Sequence, residues 1–283
     1  MIQSIDAIII NARNKMRIKL ITKEQYVTQR AREVYLTFIC QSKASFNLSR
    51  AAQSIEHSLD DIISLNKRLI WQIANQIRKL RYVKLNQSSL QLVVFTNSSF
   101  AKNHDSFSQI EYVICLADST HANILHWFSI KCKRITRSVL TIELFAMIHD
   151  FDVDSVLKTI LTKMLDAVIL LILATNSKYL YDCLVRLRRT IEKRLMIDVM
   201  ILCQFYERRK SIEMKWVHEI NNLVDFMTKN KSFSALKTLI DINQINLDTI
   251  EWVKRTAIKK TVNQIKRDSQ IKENELELDE MNE

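Results

Sequence analysis

The sequence predicts an α/β protein, a mixed five-stranded sheet with flanking helices, preceded by an α-helical segment. Three observations predict it. Apolar residues recur at the helical period through much of residues 1–85. The pattern then changes to short apolar runs separated by polar loops. Further on, residues 167–175 form an unbroken apolar run, the kind of strand that a sheet buries on both faces.

Each element has its own warrant. In SLDDIISLNKRLIWQIANQIRKL, residues Ile62, Ile63, Leu65, Leu69, Ile70, Ile73 and Ile77 keep close to a period of about 3.6. Ser58 is placed to cap this helix, with Asp60 and Asp61 in its first turn, where the helix dipole favours acids. Residues 91–95, 111–117 and 124–132 read as three strands, joined by loops such as AKNHDSFS and DSTHAN. Residues 139–161 read as a helix and 167–175 as a strand. Helices at 178–187 and 192–209, a short strand at 212–217 and a helix at 222–240 follow. The expected domains are a mainly helical segment over 1–85, an α/β domain over 86–240, and a charged, loosely ordered tail over 241–283.

Composition adds an oddity. The 283 residues are 47% hydrophobic and 26% charged, as in globular proteins, yet they include no Gly and no Pro. Average usage would give about 20 Gly and about 14 Pro. Selection for folding does not remove residues that turns and helix caps require. Ile is raised to 36. Gly and Pro codons are GC-rich and Ile codons AT-rich, so a directional G·C to A·T drift of the gene accounts for both. Net charge is +11, and the last fifteen residues, SQIKENELELDEMNE, contribute −5. The basic body suggests a polyanion partner such as nucleic acid. The same drift converts Glu to Lys and Gly to Arg, so part of the excess is its product.

Cys40, Cys115, Cys132, Cys183 and Cys203 are scattered and form no C-x-x-C pair. They predict reduced thiols in an intracellular protein, cytoplasmic or nuclear, with no structural zinc. The start, MIQSIDAIIINARNK, does not read as a signal peptide. The longest apolar run, eight residues, falls short of the about 20 that a membrane span needs. Nothing in the sequence speaks to oligomeric state.

Two stretches raise a chemical question. LVVFTNSSFA and AVILLILATNSK each drive an apolar strand toward an asparagine, Asn97 and Asn176. Further blocks surround them in one order: SFAKNHDSFSQIEYVICLAD, ANILHWFSIKCKRITRSVLTIELFAMIHDFD, ATNSKYLYDCLVRL, EKRLMIDVMILCQFYERR and KWVHEINNLVDFMTK. Together they resemble the ribonuclease H end of a copia-type retrotransposon polyprotein. QYVTQRAREVYLTFICQSKASFNLSRAAQ resembles the tail of the reverse transcriptase before it. The resemblance spans about residues 20–255. No Tyr-x-Asp-Asp polymerase motif occurs, so the polymerase palm is not encoded here.

The resemblance implies a ribonuclease H fold and, in the family, two Mg²⁺ ions held by four carboxylates that cleave the RNA strand of an RNA–DNA hybrid. Mapped onto this chain, the four positions are Asn97, Glu143, Asn176 and Asp225. Two acids are amides, each one G to A step from Asp. The resemblance therefore implies a degenerate, catalytically inactive domain with no bound Mg²⁺, in which Glu143 and Asp225 are remnants. The surviving acids, relieved of mutual repulsion, are expected to titrate near ordinary values. The family also has Gly where this chain has Glu33, Glu111, Asp150, Arg188 and Glu219. It has Pro where Ser42, Leu223 and Ser232 stand. The expected cost is strain at turns that need a left-handed residue.

Plainer readings stand beside these. Without the resemblance, Asn97 and Asn176 read as residues closing strand ends, Glu143 as an ordinary helix acid and Asp225 as an acid near a helix start. His218 stands where the family has an acid and reads as drifted. His121 and His126 point to opposite faces of a strand and make no metal pair. Trp127 and Trp216 read as core. Lys131, Lys133, Arg134 and Arg137 in KCKRITR read equally as a solvated strand end or as contacts to the phosphates of a hybrid duplex. Two rival functions remain open at this point: an active ribonuclease H, and a nuclease-dead domain that still binds nucleic acid.

Overall fold

The computed structural model describes residues 23–53, 58–75, 79–101, 107–187, 189–207, 212–225 and 234–247. Helices expected within 1–22 and most of the 241–283 tail lie outside the described residues.

Among the described residues three α-helices come first: α1 (Lys23–Cys40), α2 (Ser45–Gln53) and α3 (Leu59–Ala74). Ser58 closes a reciprocal cap on α3, its side chain accepting from the Asp61 N–H while the Asp61 carboxylate accepts from the Ser58 N–H. The three helices share a small core of Tyr26, Ala44, Leu48 and Leu65.

The sheet follows. Strands β1 (Gln91–Ser99), β2 (Gln109–Ala117) and β3 (Ala122–Lys131) form an antiparallel meander. The long helix α4 (Val139–Leu165) leads to β4 (Leu170–Thr175), which pairs parallel to β1. The short helix α5 (Lys178–Tyr181) runs into a π-helical turn at Asp182–Leu187, and α6 (Met196–Glu207) leads to β5 (Ile212–Trp216). Strand β5 pairs parallel to β4, and α7 (Ser234–Ile242) ends the described chain. The order across the sheet is β3-β2-β1-β4-β5.

Strand β4 is apolar up to Thr175 because it lies between β1 and β5 with its two faces in different cores. On one face, Leu92, Val94, Tyr112, Ile114, Leu171 and Leu173 meet α4, α5 and α6. On the other, Val93, Phe95, Val113, Trp127 and Ile172 meet Leu223, Val224 and the α7 residues Leu236 and Leu239. At about 25 cal/mol per Å² of apolar surface, these two cores supply most of the driving force. The N-terminal helices join the sheet through polar contacts. Trp127 Nε1 donates to Thr37 O at 3.1 Å, and Gln109 Nε2 donates to Ser49 Oγ at 2.8 Å.

Several boundaries differ from the sequence expectation: α4 runs on to Leu165, β4 begins at Leu170, and Asn222, Leu223 and Val224 of the helix expected at 222–240 are not helical. Strand β1 runs to Ser99, so Asn97 lies inside it, opposite Glu111, and not at its end. Strands β2 and β3 each begin two residues earlier than expected, at Gln109 and Ala122. The physical reason is pairing: a neighbour supplies hydrogen bonds to polar residues that apolar alternation does not count.

The expected turn strain is also relocated. Left-handed residues among those described are Ala101 (φ 49°), Asp166 (φ 47°) and Asn243 (φ 56°). None is a position mapped to Gly. Glu33 lies in α1, Glu111 in β2, Asp150 in α4, and Glu219 in an exposed 3₁₀ turn. Glu33, Glu111 and Asp150 are all buried. Their cost is therefore burial of polar groups, not strained φ. Arg188 and Ser232 lie outside the described residues.

Candidate functional site

The parallel register positions the first two site residues. Thr96 of β1 pairs with Thr175, the last residue of β4. Asn97 and Asn176 come next, each one residue past the end of the parallel β1–β4 pairing, while Asn97 stays paired with Glu111 of β2. Asp225 approaches from the far end of the chain. Asn97 Nδ2 donates to Asp225 Oδ1 at 2.5 Å, and Asn176 Nδ2 donates to the same oxygen at 3.1 Å. Nearby contacts hold this end of the sheet. Asn222 Nδ2 donates to Thr96 O at 3.1 Å and Trp216 Nε1 to Asn176 O at 3.1 Å. Lys178 Nζ lies 5.3 Å from the Trp216 ring centre.

Glu143 sits one turn into α4, on the face turned to the sheet, and is 6% exposed. The cap on α4 is Ser138, whose Oγ accepts from the Thr141 N–H and donates to Glu192 Oε1 at 2.7 Å. Burial, followed by the charge of Asp225, pushes the Glu143 carboxyl up to about 8. The expectation of an ordinary titration fails here. Amides at positions 97 and 176 add no repulsion, but desolvation is the larger effect.

The four positions thus present two carboxyls and two amides. Burial favours the neutral form of Glu143. The amide N–H groups face Asp225, and this orientation is the one that pairs donor with acceptor. Among the described residues no group of three or more His, Cys, Asp or Glu side chains is placed to hold a metal ion.

The remaining candidates are placed apart from chemistry. His218 caps the 3₁₀ turn Glu219–Asn221, accepting from the Ile220 N–H at 3.3 Å. His121 lies in a turn closed by Asp118, which accepts from the N–H groups of Thr120 and His121, both at 2.7 Å. His126 joins a ring cluster with Tyr112, Phe128 and His149 under α4. That cluster was not singled out from sequence. A register shift between β2 and β3 sets it, placing His126 opposite Ile114 and Ile124 opposite Cys115.

Lys131 ends β3, and Lys133, Arg134 and Arg137 follow in the loop to α4. Buried Cys132 pins this loop, its N–H donating to Ser108 O at 2.8 Å. Lys133, Arg134 and Arg137 are exposed. Lys131 lies 4.1 Å from the Phe107 ring centre and Arg134 4.9 Å from that of Phe145.

No protein family and no curated protein sequence matches the chain. Among solved structures it is similar to a ribonuclease H1, LC11, isolated from compost by a metagenomic approach. That likeness has a TM-score of 0.37 at 16% identity, covering 47% of this chain and 87% of that one. The protease–reverse transcriptase of prototype foamy virus gives 0.34 at 12% identity, covering 56% of this chain and 20% of that one. The solution structure of the PFV ribonuclease H domain gives 0.33 at 12% identity, covering 54% of this chain and 90% of that one. These values are too low to argue from. The strand order, the antiparallel meander, the two parallel strands and the helix between β3 and β4 carry the assignment. The fold is ribonuclease H-like.

The chain spans about a fifth of the foamy virus protein it resembles. No helix among the described residues is long and apolar enough to cross a membrane. All five cysteines are free thiols.

Proposed function

We propose that this chain is a ribonuclease H-like domain of copia-type descent that has lost hybrid cleavage through point substitution. Residues 1–85 are then the remnant of the reverse transcriptase tail, 86–240 the nuclease-derived domain and 241–283 a charged tail. The observation that best supports this is the behaviour of the two amides. Asn97 and Asn176 turn N–H groups onto Asp225, where a divalent cation requires lone pairs. A pair of Mg²⁺ ions needs anionic oxygens on both sides of the scissile phosphate. Two amides turned onto Asp225 leave Glu143 and Asp225 as the carboxyls of the four positions, too few for that pair of ions.

A second observation supports the drift. Glu33, Glu111 and Asp150, where the family has Gly, are 1%, 0% and 0% exposed. Both carboxyl oxygens of Asp150 lack a hydrogen-bond partner. Ser42, where the family has Pro, buries an unpartnered hydroxyl. Each such group costs about 1–3 kcal/mol, against a total stability of about 5–15 kcal/mol. Selection for a folded nuclease does not place carboxyls there.

The test is cleavage of a labelled RNA–DNA hybrid with Mg²⁺ or Mn²⁺. Cutting no greater than that of Glu143→Gln is expected. Metal-dependent cutting above that control overturns the proposal and restores the active-enzyme reading. The second reading, a nuclease-dead nucleic-acid binder, is favoured by the exposed cations Lys133, Arg134 and Arg137 on a pinned loop.

A further inference from the structure

Two acids that no cleavage chemistry uses lie under α4. Asp150 and Asp154 are one helical turn apart, on the face that carries Met147 and Phe151 into the core with Leu92, Val94 and Tyr112. Both are 0% exposed, and all four of their carboxyl oxygens lack a hydrogen-bond partner. The sequence marked Asp150 as a replaced glycine but did not single out Asp154. The signal was present in its spacing, since residue 154 follows 143, 147, 150 and 151 around one face.

The surroundings offer little to a negative charge. Strands β1 and β4 have no titratable residue. Strand β2 contributes the Tyr112 phenol, and β3 contributes His126 through the ring cluster. Helices α5 and α6 bring Tyr181 and Cys203 to the same core, and the π-helical turn between them brings Cys183. On α4 itself the neighbours are Glu143, His149 and Lys158. His149 Nδ1 is 3.6 Å from Asp150 Oδ1, beyond hydrogen-bond reach though within ion-pair distance when the imidazole is protonated, and its side chain is 40% exposed. The charge that bears on Asp150 is that of Glu143, and the one that bears on Asp154 is that of Asp150. Each is repulsive.

A neutral carboxyl without a partner is tolerated at modest cost in such a place, whereas an ionised one is not. We infer that α4 is held on the sheet by two protons, one on Asp150 and one on Asp154, and that its docking loosens as they leave. The proton then acts as a ligand of the folded state. Burial, with Asp150 beside it, pushes Asp154 up to about 9, and burial pushes Asp150 well above the carboxylate range. In the unfolded chain both titrate near about 4. The stability they contribute is therefore complete below about 4 and declines as pH rises, disappearing above about 9. Most proteins show the opposite slope on the acid side. The inference stands apart from the descent and the loss of cleavage proposed above.

The experiment uses the full chain. Urea midpoints are measured at about pH 5, 7 and 9, with hydrogen exchange of α4 amides corrected for the intrinsic base-catalysed rate. The midpoint is expected to fall with pH, and protection of the α4 amides to fall more than that of α1. The variant Asp150→Asn with Asp154→Asn is expected to lose more than half of the fall. Glu33→Gln, on the separate helical core, removes a different part and leaves α4 exchange unchanged. A midpoint that is constant or rises over this range overturns the inference. So does a double variant with the wild-type slope, or a wild-type chain with no cooperative transition at about pH 5. If the double variant does not fold, wild-type exchange decides, because α4 protection that does not depend on pH overturns the inference alone.

Discussion

Asn97 donates its side-chain amide to Asp225, 128 residues further along the chain, and Asn176 donates to the same carboxyl oxygen. The contact joins the central strand to the segment beyond β5. It also engages the two amide groups that stand at the proposed ligand positions. Placing Asp at both positions changes that balance. Asn97→Asp with Asn176→Asp would place two carboxyls against Asp225, with Glu143 close enough to be felt. The double variant is expected to bind Mn²⁺ detectably, which calorimetry would show. It is expected to recover at most weak hybrid cleavage, because the reacting groups must sit within about 0.5 Å of productive geometry. Full cleavage by the double variant would show that the rest of the fold is undamaged.

Glu33 gives a pH-dependent prediction. Burial raises its carboxyl to about 8, with Gln29 and Arg68 opposing. A raised carboxyl contributes stability that is full below the unfolded value of about 4 and is lost as pH rises through about 8. Glu33→Ala is therefore expected to raise the urea midpoint at about pH 8.5 more than at about pH 5. A midpoint lowered equally at both would mean that Glu33 supports the helical core.

Asn243 ties distant segments together. Its Nδ2 donates to Arg81 O at 2.7 Å, Ala122 O at 3.1 Å and Asn123 Oδ1 at 3.1 Å, while its own carbonyl accepts from the Ala122 N–H at 2.7 Å. Its left-handed φ is one that Asn tolerates. Asn243→Asp keeps the shape but turns a carboxylate toward three oxygens. A loss of at least about 2 kcal/mol at neutral pH is expected, recovering in part below about pH 4, as equilibrium unfolding at both pH values would reveal. An unchanged stability would show that the contacts contribute nothing net.

The cationic loop allows a salt test. If Lys133, Arg134 and Arg137 touch phosphates, replacing all three with Gln should lower the slope of log K against log salt by about 0.9 per lost contact on duplex. Fluorescence anisotropy with a hybrid duplex would measure it. Equal slopes would assign the cations to solvent.

Much of the fold was legible in the sequence. Element order follows from a change of apolar period, and the α3 cap from Ser58 and Asp61 spaced three apart. Strand lengths were less so. Asn97 reads as the end of a strand, yet β2 pairs with it through Glu111 and extends β1 to Ser99. The candidate site divides in the same way. Positions 97, 143, 176 and 225 were reached by resemblance, with nothing in their spacing to unite them. That Asn97 and Asn176 share one oxygen of Asp225 depends on parallel register between β1 and β4.

By itself, the sequence determined that glycine and proline are absent and in what order helices and strands form. Tertiary structure alone decided what the acids at the positions mapped to glycine cost. Glu33, Glu111 and Asp150 were expected to strain turns, but they lie in regular helix and strand with their carboxyls out of water. The same packing pushes Glu143 up to about 8 when amides at positions 97 and 176 argued for an ordinary value. The reason is physical. Backbone preference is local and can be read from neighbouring residues, whereas desolvation depends on what packs over a group, and those atoms come from strands and helices far along the chain.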